Sequence, residues 1–129
     1  MKTVKNIKEE INIEKLVKEF DENPIVYDNL DLQDIFMSKV ASEISSLIVK
    51  NSKNASSRSI SGGHVEYHWN MEINNENVIE FLNDLSATTD NGFIKNVIET
   101  VSTRKFYTEK QIRVICEEAA KFDSLTLNF

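Results

Sequence analysis

Two histidines and a glutamate, His64, Glu66 and His68, stand at alternate positions of the stretch SRSISGGHVEYHWNMEI at 57–73. Imidazole and carboxylate bind transition metals and move protons near neutral pH, so a metal centre or an acid–base catalyst would be built here. Side chains two apart on an extended strand share a face about 6.6 Å from one another. Either histidine could therefore join Glu66 around an ion with ligands from elsewhere, but the two imidazoles, four residues apart, do not close a chelate. The tighter His-x-His arrangement is absent. A solvated polar strand face is the simpler reading, with a metal-dependent enzyme at the His64/His68 face as the alternative. Cys116, the only cysteine, has neither a histidine nor a helix N-terminus near it in sequence to depress its pKa, and beside Ile115 it reads as a packing residue. Asp28, Asp31 and Asp34 lack the glycine and terminal glutamate that a calcium loop needs. No phosphate-binding glycine loop, dinucleotide fingerprint or serine elbow is present. The expectation is a protein without catalytic residues, metal or cofactor, and not an enzyme.

Charge points elsewhere. The chain of 129 residues carries a net charge of −6, concentrated in two blocks. Residues 19–34 hold six carboxylates and no base, and residues 66–90 hold six more with no lysine or arginine. Counterion release on nucleic acid needs a basic surface, so such a layout disfavours non-specific binding by the whole molecule and favours a basic partner. A single cysteine fits a reducing compartment, and no apolar run approaches the roughly 18 residues that cross a bilayer. The N-terminus has lysines without an apolar stretch behind them, unlike a signal peptide. A cytoplasmic location without membrane association is expected.

The elements that would position these groups follow from periodicity. Ile13, Leu16, Val17 and Phe20 fall at helical spacing, and Asn6 with Glu9 forms a capping-box pattern, so one helix is predicted over 6–22, ended by Asn23 and Pro24. Leu32, Ile35, Phe36, Val40, Ile44, Leu47 and Ile48 predict a central helix over 31–50, followed by a polar loop at 51–57. Gly62 and Gly63 predict a two-residue turn, which sets Ile60 opposite Val65, Arg58 opposite Tyr67, Ser59 opposite Glu66 and Ser57 opposite His68. Beyond the turn, Val65, Tyr67, Trp69, Met71 and Ile73 share the core face. Val78, Ile79, Leu82 and Leu85 predict a fourth element, a helix ending near Leu85. Asp90 is the expected N-cap of a helix whose stripe is Phe93, Ile94, Val97, Ile98 and Val101, with a loop at 102–107 behind it. Thr108 and Gln111 form a capping box for a last helix, and alternation of Leu125, Leu127 and Phe129 predicts a terminal strand. The fold class is therefore α+β: about five helices in one domain, 1–129, packed with a small antiparallel sheet made of the hairpin 57–73 plus the C-terminal strand 124–129.

Phe93, Ile94, Lys95, Asn96, Val97 and Ile98, followed by the run from Phe106 through Thr108 and Gln111 to Ile112, resemble a two-helix segment found in assorted proteins of phages and mobile elements. The aromatic start and a later L-[ST]-x-K-Q turn carry the likeness, with Tyr107 standing where leucine is usual. It implies a phage-like origin and assigns no functional residue. The function expected is that of a small acidic regulatory protein that binds a macromolecule, a phage-type accessory protein or an inhibitor of a host nucleic-acid-handling protein. That partner's basic groove would accept carboxylates in place of phosphates. Asp21, Glu22, Asp28, Asp31 and Asp34 would bind it with Tyr27 as an apolar anchor, and Glu72, Glu76, Glu80 and Asp84 offer a secondary acidic surface. The alternative is nucleic-acid contact by the helical pair 90–122 through Arg104, Lys105, Lys110 and Arg113, although six bases stand there against five carboxylates. A homo-oligomer is a further option, because an unprotected hairpin edge can pair with a second copy.

Overall fold

The computed structural model describes residues 2–22, 32–55, 57–61, 64–68 and 70–129, with 19–22, 57–61 and 64–68 described as backbone only. The expected Gly62-Gly63 turn, Trp69, the Asn23-Pro24 stop and the residues Tyr27, Asp28 and Asp31 lie outside them.

The protein is α+β. Strand β1 (Lys2–Thr3) leads into α1 (Val4–Ile11) and α2 (Ile13–Glu22). The single helix expected over 6–22 is thus two. Thr3, not Asn6, is the N-cap: its hydroxyl accepts from the Asn6 amide at 3.1 Å while Asn6 Oδ1 accepts from the Thr3 amide at 3.0 Å. Asn12 makes the break, with φ of 58°, a region asparagine tolerates better than most residues. Its amide donates to the Lys8 carbonyl and its side chain accepts from the Glu14 amide at 2.9 Å, so one residue closes α1 and opens α2. The break redirects the apolar stripe. Val4, Ile7 and Leu16 are buried, but Ile13 and Val17 are 40% and 41% exposed.

The central helix, α3 (Leu32–Lys50), matches its expected extent and buries Phe36, Val40, Ala41, Ile44 and Ile48. The stretch read as a polar loop contains β2 (Ser52–Asn54), followed by β3 (Ser57–Ser61), β4 (His64–His68) and β5 (Asn70–Ile73). The hairpin register is the expected one, with Ile60 opposite Val65 and Arg58 opposite Tyr67. The β2–β5 ladder pairs Ser52 with Ile73 and Asn54 with Met71, which continues the same register. Polar composition hid β2 because its partner buries Met71 and Ile73 while β2 itself stays at the surface.

Helix α4 (Glu76–Thr88) is capped by Asn75, and α5 (Gly92–Arg104) by Asn91 rather than Asp90: the Asn91 side chain accepts from the Ile94 amide at 3.2 Å. Ile94, Ile98 and Val101 are buried as expected, but Phe93, in the first turn, is 64% exposed. The expected loop at 102–107 gives way to β6 (Phe106–Thr108), and Thr108 with Gln111 forms the expected capping box of α6 (Glu109–Ala119). Strand β7 (Thr126–Leu127) closes the order.

The single sheet expected is divided among the described residues: β3 and β4 form a two-stranded sheet of their own, β5 joins β2 and β6 in the order β2-β5-β6, and the C-terminal strand pairs antiparallel with β1 instead of with the hairpin. The hairpin's inner half gains β6 because Lys105, at φ of 60°, turns the chain after α5 so that its carbonyl meets the Ile73 amide at 2.8 Å. Packing then runs in a closed circuit: α3 against α1 and α6, α6 against α5, α5 against α4, α4 against β7, and β7 against β1, which leads back to α1. One apolar cluster fills the circuit, from Val4 and Ile7 through Ile44, Phe81 and Ile98 to Leu127.

Candidate functional site

A row of charges lies on the seam between α3 and α6. Along α6 and the turn just beyond it, Glu109, Arg113, Glu117 and Lys121 recur every four residues, the spacing that stacks side chains along one ridge where the backbone is helical. All four are exposed. They border two openings that share Ser38 and Glu117: one of about 560 Å³ floored by Ala41, Ile112 and Cys116, and one of about 420 Å³ reaching Asp34 and Lys121. The α3 wall is low because Ser38, Ser42 and Ser45 are short. Two residues expected on separate surfaces line these adjoining openings. Asp34, from the acidic set, stands at one end, and Arg113, from the basic set, stands midway between Glu109 and Glu117 along the ridge.

Elsewhere the expected acids divide. Glu72 lies directly across from Lys53 on the β2–β5 ladder and pairs with it at 3.1 Å, and Glu76 pairs with Lys105 at 2.6 Å. These two therefore serve the fold locally, and Lys105 is engaged with Glu76 instead of standing open to a phosphate. Glu80 and Asp84, one turn apart on α4, are exposed and make no ion pair among the described residues. Arg104 borders a different opening, beside Thr100 and Phe106, and Lys110 is exposed on the first turn of α6. The four basic candidates thus do not share one surface opening. Asp21 and Glu22 end α2, with no side-chain geometry described.

On the outer hairpin the register sets His64 opposite Ser61, Glu66 opposite Ser59 and His68 opposite Ser57. Among the described residues no three of His, Cys, Asp and Glu gather in a metal-binding cluster.

Three buried groups with chemical potential are committed to the fold. The Cys116 thiol is buried, and burial, followed by the charge of Glu117, raises its pKa far above the ordinary value, which suppresses the thiolate. The Tyr107 hydroxyl donates to Ser52 Oγ at 2.9 Å, and Ser52 Oγ donates to the Ile48 carbonyl at 2.8 Å, joining β6 and β2 to the end of α3. Burial raises the Tyr107 pKa, the Ser52 hydrogen bond works against that, and Cys116 adds to it. Glu118 is buried, accepting from Asn91 Nδ2 at 3.2 Å and pairing with Lys121 at 3.3 Å, which ties the end of α6 to the start of α5.

The groove escapes a reading by composition because the charges of 90–122 nearly cancel. The signal is in their order: signs alternate at four-residue spacing, which becomes a ridge only once 109–119 is known to be one helix with Lys121 beside its end. No helix among the described residues is long and apolar enough to cross a membrane. No family model matches the chain, and neither a curated protein nor a solved structure matches it.

Proposed function

We propose that the protein is a small acidic, non-enzymatic binding protein that engages a basic macromolecular partner through surface carboxylates. Its role would be that of a phage-type accessory protein or an inhibitor of a nucleic-acid-handling protein. The observation that supports this reading is the exposed pair Glu80 and Asp84 on α4, which carries like charges one turn apart and no ion pair among the described residues. Such a pair lowers helix stability by roughly 0.2–0.5 kcal/mol, a cost that a basic partner would relieve. Asp34, exposed in the first turn of α3, favours the helix dipole and presents a third carboxylate. A partner that otherwise holds phosphates would recognise the same anionic groups.

Affinity capture from a host extract tests this with the wild-type chain beside the Glu80→Lys/Asp84→Lys and Asp34→Lys variants. Specific partners should be retained by the wild type, released by raised salt or by heparin, and lost on charge reversal. Retention indifferent to salt, heparin and both variants would rule the reading out.

A further inference from the structure

We infer that the α6 ridge is a self-complementary contact through which two copies of this chain associate about a two-fold axis. The argument begins with the order of charge. From Glu109 to Lys121 the ridge reads acid, base, acid, base. An alternating row with an even number of members ends on opposite signs, so the same row running the other way places a base against every acid. With the axis between Arg113 and Glu117, Arg113 of each copy meets Glu117 of the other, and Glu109 meets Lys121. Three or five alternating charges would set like against like at the ends. A two-fold contact requires that if one position touches another, the reverse contact also forms, and this row meets that condition at all four positions.

The monomer leaves three of those four charges unpaired among the described residues, and the dimer would draw Lys121 from its Glu118 partner to Glu109 of the other copy. Opposite charges four apart on a helix ordinarily pair within it. Here Glu109, Arg113 and Glu117 form no ion pair among the described residues, and Lys121 turns to the neighbouring Glu118. The surroundings also permit approach. Rows of side chains at four-residue spacing pack against equivalent rows in the commonest helix crossing, near −50°. The short side chains of Ser38, Ser42 and Ser45 keep the adjacent α3 wall low, so a second ridge can come down beside the first. Because Ala41, Ile112 and Cys116 on the floor are already buried, the contact is electrostatic, and the dimer is weak and salt-sensitive.

Sedimentation of the purified protein over a wide concentration range tests the inference. Dimer should form at low ionic strength and weaken at least about tenfold on raising salt from roughly 0.05 to 0.5 M. Arg113→Glu alone and Glu117→Arg alone should each be monomeric, since each sets like charges across the axis twice. The double variant Arg113→Glu/Glu117→Arg should dimerise again, and mixing the two single variants should yield a heterodimer. The circular dichroism spectrum and thermal midpoint of each variant establish that it is folded. A wild type that stays monomeric at every concentration and low salt overturns the inference, as does a dimer untouched by the single reversals. Failure of the double variant and of the mixture to re-form dimers, with all chains folded, also overturns it and leaves the ridge to a different kind of partner.

Discussion

Tyr107, Ser52 and the Ile48 carbonyl form a polar link between the sheet and the central helix. A buried hydroxyl that loses its partner loses about 1 kcal/mol, so Tyr107→Phe should lower stability by roughly that amount. Ser52→Ala removes both hydrogen bonds, and the double variant should cost less than the sum of the two, with a coupling of about 0.5–1 kcal/mol in a cycle measured by urea unfolding. Strict additivity would mean that the link contributes nothing beyond its parts. Cys116 and Tyr107 also predict an alkaline limit. Each keeps its proton in the folded chain where the unfolded chain, with ordinary values of 9.0 and 10.0, has lost it. The unfolded state therefore binds fewer protons above about pH 9, and stability falls as pH rises, by up to ~1.4 kcal/mol per pH unit for each group. Below pH 8 neither contributes a slope. Urea unfolding at pH 7, 9 and 10 should show the decline, and Cys116→Ala should flatten it between 9 and 10 while lowering stability at pH 7 by leaving a void. An unchanged slope in that variant would assign the limit to other groups.

At the scale of elements, capping decides where helices begin, and the caps divide into those that local sequence specifies and those that tertiary packing selects. Thr108 with Gln111 is a capping box whose two bonds, 3.2 and 2.9 Å, need only the residues between them, and the sequence marks it fully. Asn6 with Glu9 offers the same kind of pattern, yet Thr3 with Asn6 prevails because starting at Val4 buries Val4 and Ile7 and lets Thr3 pair in β1. Nothing in the periodicity of 6–22 reveals the reversal at Asn12. Its consequence can be tested: alanine at a positive φ costs about 1–2 kcal/mol, and it would also strip the bond to the Glu14 amide. Asn12→Ala should therefore lower the thermal midpoint by several degrees, and Asn12→Gly by less, since glycine accepts the backbone angle and loses only the cap. Equal losses would indicate that the cap alone matters. The short strands β2 and β6 illustrate the same limit. Their polar or mixed composition, SKN and FYT, carries no alternation, and each is a strand because β5 lies between them with Met71 and Ile73 already committed to the core. In the candidate site, the acids and bases were legible as types, whereas their separation into the fold's own pairs, Lys53 with Glu72 and Lys105 with Glu76, required the strand register and the turn at Lys105.

Across the whole molecule, the circuit of packed elements closes only where the two ends of the described chain meet. Alternation of Leu125 and Leu127 identifies an extended segment but not its partner, and two exposed edges competed for it: the hairpin and the N-terminal residues. The second wins on packing. Pairing Leu127 with Lys2 and Thr126 with Thr3 places Leu125 and Leu127 beside Val4 and Ile7 in the same cluster, and it brings Phe129 edge-on to Phe81 at 5.6 Å between ring centres. Two further backbone bonds extend the junction, from the Val4 amide to the Leu125 carbonyl at 3.0 Å and from the Lys5 amide to the Asp123 carbonyl at 3.1 Å. A contact between distant parts of the sequence constrains all that lies between them, so its loss should be felt globally. Leu127→Ala removes a fully buried side chain and should cost about 2–4 kcal/mol, a large share of the 5–15 typical of a domain. Thr126→Ala, on the half-exposed face of the same strand, should cost under about 0.5 kcal/mol. Hydrogen exchange separates the local from the global effect: in Leu127→Ala the Val4 and Lys5 amides should lose protection together with the core amides of α3 and α4. Loss confined to Val4 and Lys5, with α3 and α4 unchanged, would show that the terminal pair frays by itself and that the circuit does not depend on being closed.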